Sequence, residues 1–181
     1  MITIAILGMG ARGYTYAQAI GELEDVKVTH VCEVNPIKKE FVKQMFKIEE
    51  NNYYMSDDEF LSKGKLADIL IISTMDQWHY KHAMKALDLG YDILLEKPIA
   101  STEKQCQEIA DKAKKLNRKV VICHVLRYTP FYNKLKEIVD SNLIGKVRSI
   151  TQTENIGYYH YAHSYVRGNW HRGDITSPLV V

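Results

Sequence analysis

The chain opens with the strand-like run Ile2-Thr3-Ile4-Ala5-Ile6-Leu7 and passes directly into Gly8-Met9-Gly10-Ala11-Arg12-Gly13. A β-branched apolar run ending in three glycines at this spacing predicts a buried strand, a tight turn and the start of a helix. Each glycine has a separate reason to be there. Gly8 permits the turn, Gly10 leaves the backbone bare for close approach by an anion, and Gly13 lets helix and strand pack closely. Few architectures use such a joint, so the first thirteen residues constrain the fold more than any other stretch.

The pattern that follows agrees with them. Val/Ile/Leu-rich runs predict strands at 2–7, 26–32, 68–72, 91–96 and 119–123. They are continuous rather than alternating, as in a parallel sheet covered on both faces. Helical segments separate them. Asn35-Pro36 predicts a capped helix start, with Ile37, Phe41, Met45 and Ile48 on the inward face. Ser56 with Glu59, and Thr102 with Gln105, have capping-box spacing. The second of these helices carries an apolar stripe of Cys106, Ile109, Ala110, Ala113 and Leu116. Gly90 stands where a helix over 77–88 should stop. Strands alternating with helices define an α/β fold with a doubly wound parallel sheet of the Rossmann type over 1–124. Beyond it come a helix near 131–140 and an alternating stretch over 147–155 that predicts a strand with one wet face. Residues 125–181 are expected to begin a second, α+β domain.

Composition removes several functions. A net charge of +2 without a basic block argues against a nucleic-acid or membrane-surface partner. No run of about 18 apolar residues predicts a membrane span. The three cysteines Cys32, Cys106 and Cys123 have neither pair nor metal-ligand spacing, which fits reduced thiols in a cytoplasmic protein. His160, His163 and His171 lack the carboxylate or cysteine set that would complete a metal site.

The motifs point to a dinucleotide. Met9, Ala11 and Arg12 fill the turn between Gly8, Gly10 and Gly13, and Glu33 ends the second strand twenty positions after Gly13. A carboxylate there accepts hydrogen bonds from the adenosine ribose and repels a 2′-phosphate, favouring NAD over NADP. Lys38 and Lys39 follow closely and could soften that repulsion. Glu96-Lys97-Pro98 closes the fourth of these predicted strands, 91–96. A lysine beside a nicotinamide suits proton transfer to a substrate hydroxyl, with Glu96 anchoring or orienting it, although a structural ion pair on a rigid turn would use the same residues. Thr74 and His79 lie just beyond the preceding strand's carboxyl end, where open α/β sheets bind ligands, and Arg127 follows the last strand. His79 could touch the cofactor or a backbone group, and Arg127 a phosphate, a carboxamide or a surface partner. Tyr158, Trp170 and His171 sit in a Tyr- and His-rich tail that could line a sugar-like pocket, form an interface, or simply pack.

Together the glycine turn, Glu33, the Thr74-to-His79 loop and Glu96-Lys97-Pro98 resemble the Gfo/Idh/MocA oxidoreductases, and the resemblance extends through Arg127-Tyr128-Thr129-Pro130. It implies NAD(P)-dependent oxidation of a sugar, inositol or related polyol, in homo-oligomers built on the second domain's sheet. It makes Lys97 the counterpart of the family's catalytic lysine. The family's partner histidine lies on a helix of the substrate domain, and His171, in Trp170-His171-Arg172-Gly173-Asp174, does not fit that motif. The chain thus reads as the amino-terminal part of a longer enzyme, expected to bind NAD without turning over a sugar. The resemblance also leaves room for a glycoside-cleaving enzyme with tightly held NAD, or a nucleotide-sensing regulator that has lost the chemistry.

Overall fold

In the computed structural model, which describes residues 1–172 and 176, six parallel strands form one sheet in the order β3-β2-β1-β4-β5-β6. The strands are β1 (Ile2–Leu7), β2 (Val26–Cys32), β3 (Tyr53–Tyr54), β4 (Ile69–Ile72), β5 (Asp92–Leu95) and β6 (Val120–Ile122). Helices α1 (Ala11–Gly21), α2 (Lys39–Phe46), α3 (Asp57–Ser62), α4 (Asp76–Asp88) and α5 (Glu103–Lys115) alternate with them. The period-2 geometry of each strand sends alternate side chains to opposite faces, and both faces are filled. Ala5 and Leu7 join Phe60, Leu70, Ile72, Leu87 and Leu95 on one side. Ile4 and Ile6 join Ala17, Val28, Val31, Val42 and Ile71 on the other. This double coverage is why the strands are apolar throughout.

Local signals hold the helices in place. The side chains of Asn35, Ser56 and Thr102 accept from the amides of Ile37, Glu59 and Gln105. The helix α4 ends as Gly90 predicts: its amide donates to Leu87 O and that of Tyr91 to Ala86 O, closing a Schellman turn. In α5, Ile109 and Ala113 are buried, whereas Ala110 and the C-cap residue Leu116 are exposed, so the apolar stripe is narrower than its spacing predicts.

Three expectations need correction. The two-residue β3, paired in parallel with Val31 and Cys32, is too short to stand out in hydrophobic periodicity. The segment after Asn35 begins as a 3-10 turn, Pro36–Lys38, and the tighter winding shifts the phase of α2. Val42 therefore points into the core, while Ile37, Phe41 and Met45 remain exposed. Phe41 and Met45 are instead covered from the side by Tyr14, which stacks at 6.0 Å on Phe41 and donates its hydroxyl to Met45 Sδ at 3.1 Å. Finally, 147–155 forms no strand, because no described strand lies alongside to take its backbone hydrogen bonds.

After β6 the chain continues through a 3-10 turn (Val125–Tyr128), α6 (Pro130–Asp140) and the short α7 (Tyr158–Tyr161), which runs into a π-turn at Ala162–Val166. No described helix is long and apolar enough to cross a membrane.

Candidate nucleotide and proton-transfer site

The site forms where the strand order reverses, at the carboxyl ends of β1 and β4. Gly8 has φ +96°, and a Cβ there would stand 2.8 Å from Ser73 O. A Cβ on Gly13 would meet Gly8 O at 2.1 Å. Ser73 Oγ donates to the same Gly8 carbonyl at 2.8 Å, drawing the end of β4 against the turn. By contrast, a Cβ on Gly10 would meet nothing within 4 Å. Gly10 is also the N-cap of α1 and brings no side chain to accept from the helix's first amides. Two glycines thus lock the turn while the third leaves open space before a helix amino terminus. Such open space before a helix amino terminus suits an anion, and the residues present fit a dinucleotide pyrophosphate there.

Glu33, just past β2, is buried at 7% exposure. Its Oε1 accepts from the Asn35 amide at 2.8 Å and its Oε2 from the Met9 amide at 3.0 Å and from Lys38 Nζ at 3.1 Å. The carboxylate therefore braces the glycine turn from below. Its neighbour Cys32 is also buried, and burial pushes that thiol up to about 12.

Glu96 forms the second acidic corner, at 5% exposure just past β5. Its amide donates to Ile72 O of β4, and its Oε2 accepts from the Lys97 amide at 3.0 Å. Its Oε1 accepts from Tyr16 Oη at 2.5 Å and lies 3.6 Å from Arg12 Nε. Both partners come from α1, so the helix opened by the glycine turn reaches across β4 to the Lys97 turn. Burial, reinforced by Cys123 and Glu96, holds the Tyr16 phenol well above its usual range, which keeps it a donor. Burial likewise raises Cys123. Lys97 itself is exposed, and its bond to Pro98 is cis.

The Thr74-to-His79 loop lies alongside. His79, with 1% exposure, spans two main-chain carbonyls, with Nδ1 2.7 Å from Pro98 O and Nε2 3.1 Å from Thr74 O. Its ring is engaged as a brace between this loop and the Lys97-Pro98 turn. Thr74 Oγ1 is 3.1 Å from His82 Nδ1, whose Nε2 lies 3.0 Å from Asp57 Oδ2. Burial lowers the His82 pKa despite that carboxylate.

The structure thus brings Gly8, Met9, Gly10, Ala11, Arg12, Gly13, Glu33, Thr74, His79, Glu96 and Lys97 to one edge of the sheet. Arg127 is exposed in the turn after β6 and takes no part in the Glu96 network. Tyr158, Trp170 and His171 are also apart from it: Trp170 faces Tyr165 at 6.4 Å, and His171 Nδ1 is 2.6 Å from Gly168 O. Gly173, Asp174, Ile175, Ser177 and Pro178, beside that histidine, lie outside the described residues. Among the described residues no cluster of three or more His, Cys, Asp or Glu is placed to hold a metal ion. Sequence reasoning missed Tyr16. Its i,i+4 spacing from Arg12 puts both side chains on one face of α1, but nothing in that spacing points to Glu96.

A parallel sheet with a glycine cradle at its switch point and an acid closing β2 defines a dinucleotide-binding Rossmann protein. The profile of the Gfo/Idh/MocA oxidoreductases, an oxidoreductase family with an NAD-binding Rossmann fold, matches residues 2–124, and the chain belongs to that family. Among curated proteins it is 29% identical over 145 residues to the inositol 2-dehydrogenase/D-chiro-inositol 3-dehydrogenase of Lactiplantibacillus plantarum, covering 79% of this chain and 41% of that one. It is 25% identical over 156 residues to the alpha-N-acetylgalactosaminidase of Shewanella oneidensis, covering 81% of this chain and 33% of that one. The crystal structure of myo-inositol 2-dehydrogenase from Lactobacillus plantarum shares the fold with a TM-score of 0.73 at 24% identity, over 81% of this chain and 43% of that chain. The chain therefore spans well under half the length of these relatives.

Proposed function

We propose that this chain is the nucleotide-binding part of an NAD(P)-dependent oxidoreductase that moves a hydride between nicotinamide and a sugar, inositol or related polyol. The observation that carries the reading is the link from α1 to the Lys97 turn, through Tyr16 and Arg12 to Glu96. It couples the pyrophosphate cradle and the candidate proton-transfer residue on one edge of the sheet. In this reading 1–124 is the dinucleotide domain and 125–181 opens a substrate and oligomerisation domain. The free thiols Cys32, Cys106 and Cys123 are consistent with a cytoplasmic location, and the full-length enzyme would act as a homo-oligomer on a small carbohydrate-like molecule.

Each residue has a distinct task. The main chain from Gly8 to Gly13 would hold the pyrophosphate, and Glu33 would hold the ribose hydroxyls, giving NAD the stronger claim over NADP. Bound there, the nicotinamide supplies the hydride acceptor or donor. Lys97 moves the proton at the substrate hydroxyl. Glu96 serves as its anchor: both of its oxygens are engaged, by Tyr16 and by the Lys97 amide. Thr74 and His79 keep the adjoining loop in register with Pro98.

Replacing Lys97 separates these tasks. Lys97→Ala should leave NAD binding by this chain within about threefold of the parent, read by calorimetry. In an enzyme with its relatives' full length, hydride transfer should fall by about 10²–10⁴-fold. Normal turnover by that variant would remove Lys97 from the chemistry. The likeness to an alpha-N-acetylgalactosaminidase supports a second reading, in which NAD is held tightly and a glycosidic bond is cleaved. Sugar release without net NADH accumulation would favour it, whereas NADH accumulating with a free polyol would favour the first.

A further inference from the structure

The two lysines that follow Glu33 have different geometry. Lys39 Nζ turns away to Glu50 Oε1 at 2.5 Å. Lys38 Nζ turns inward and donates to Glu33 Oε2 at 3.1 Å and to Met9 O at 3.0 Å. An ammonium has three donors, and two are used. A carboxylate offers about four acceptor sites, and the Asn35 amide, the Met9 amide and Lys38 take three of them on Glu33. What remains at this corner is one acceptor on the acid and one donor on the base. The opposed charges also cancel, so the bare-carboxylate repulsion that ordinarily excludes a 2′-phosphate is offset.

We infer that Lys38 makes the ribose corner two-valued: a 2′-hydroxyl binds the free Glu33 acceptor, and a 2′-phosphomonoester binds the free Lys38 donor. Lys38 is thereby the residue that narrows the preference for NAD and admits NADP. The inference rests on the nucleotide-binding reading above and adds to it the residue that sets cofactor choice. A phosphomonoester brings a charge of about −1.5 to −2 at neutral pH, so the NADP mode is also the more salt-sensitive of the two.

Calorimetric titration of the 181-residue chain with NAD and with NADP tests it, at low and at high salt. The parent should bind the two with dissociation constants within about tenfold of each other. Lys38→Met keeps the aliphatic stem and should shift the NADP-to-NAD affinity ratio toward NAD by about ten- to a hundredfold, the range for one charge-assisted hydrogen bond. Lys38→Arg should restore most of it, and Lys39→Met, which removes an ion pair to Glu50 and a contact over the Tyr53 ring but touches neither Glu33 nor Met9, should move the ratio by less than about threefold. Thermal melts of each variant establish that it is folded. NAD binding with a ratio unmoved by Lys38→Met overturns the inference alone, as does a parent that prefers NAD by more than about a hundredfold. A folded chain that binds neither dinucleotide overturns the underlying reading and this inference with it.

Discussion

Residues 1–123 and 124–172 both carry aromatic and branched side chains, but only the first region buries them. Phe60, Tyr91, Ile6, Leu70 and Leu95 are sealed in the two sheet faces. In the second region Tyr128, Phe131, Leu143, Ile150 and Tyr158 are each more than 70% exposed, and Thr176 is the one buried residue described after Cys123. Helix α6 shows the cause. Phe131, Leu135 and Val139 recur at helical spacing, the pattern of an inward face, yet none of them is buried. An apolar stripe specifies burial only when a second surface receives it. Every member of the Glu33 and Glu96 corners lies in the first region, so the candidate chemistry belongs to the part of the chain with a packed core.

The largest test of that contrast is a core truncation. Phe60 has no exposed surface and meets Tyr54 edge-on at 5.4 Å. Phe60→Ala should cost about 3–5 kcal/mol, through lost transfer energy and the cavity left behind. Denaturant titration would read this directly, and in a melt each 1 kcal/mol corresponds to a fall of about 2–4 °C. A loss below about 1 kcal/mol would mean that the sheet faces are less well packed than their burial implies.

A smaller effect should appear with pH, again confined to the first region. His82 is buried between Asp57 and Thr74, and burial lowers its pKa below the ordinary histidine value. Lys81 and His79 push the same way, and Asp57 opposes them. The unfolded chain takes up a proton as pH falls through about 6.5, while the folded chain resists it. Stability should therefore decline as pH drops below about 6.5, by at most about 1.4 kcal/mol per unit for this one group. Asp57 adds a second loss at lower pH. Burial opposes the shift, but the His82 hydrogen bond and the Lys81 charge outweigh it and hold the carboxyl below its usual range. His82→Gln should flatten the slope between pH 7 and 5.5 in a series of melts. An unchanged slope would place the acid sensitivity elsewhere.

The same contrast explains what could be read from residues alone. Strands with both faces covered announce themselves as apolar runs, and the caps at Asn35, Ser56 and Thr102 are local chemistry, so β1, β2, β4, β5 and the helix starts were legible. The glycine turn, Glu33 and Glu96-Lys97-Pro98 were legible as motifs. The phase of α2 was not, because it depends on how tightly three residues after Asn35 wind. The alternating stretch over 147–155 was misread for the reason that leaves α6 bare: alternation describes a face, while a strand also needs a neighbour. Tyr16 joined Glu96 only through a contact between residues eighty positions apart. No local pattern specifies such a pair. Lys38 and Lys39 are adjacent in sequence, and only the three-dimensional positions of Glu33 and Glu50 assign them different partners.

The smallest expected effect defines the other side of the comparison. Phe131 is 71% exposed, and its ring meets that of its neighbour Tyr132 at 5.2 Å. Removing it creates no cavity and strips no core residue of its partner. Phe131→Ala should therefore change the stability of the chain by no more than about 0.5 kcal/mol, the range for surface substitutions free of special contacts. The same chemical change would then cost six or more times as much at Phe60 as at Phe131, with side-chain type held constant. A cost at Phe131 approaching that at Phe60 would show that α6 is seated on an apolar surface in solution. The division between a packed region that holds the site and an unpacked one that follows it would then have to be redrawn.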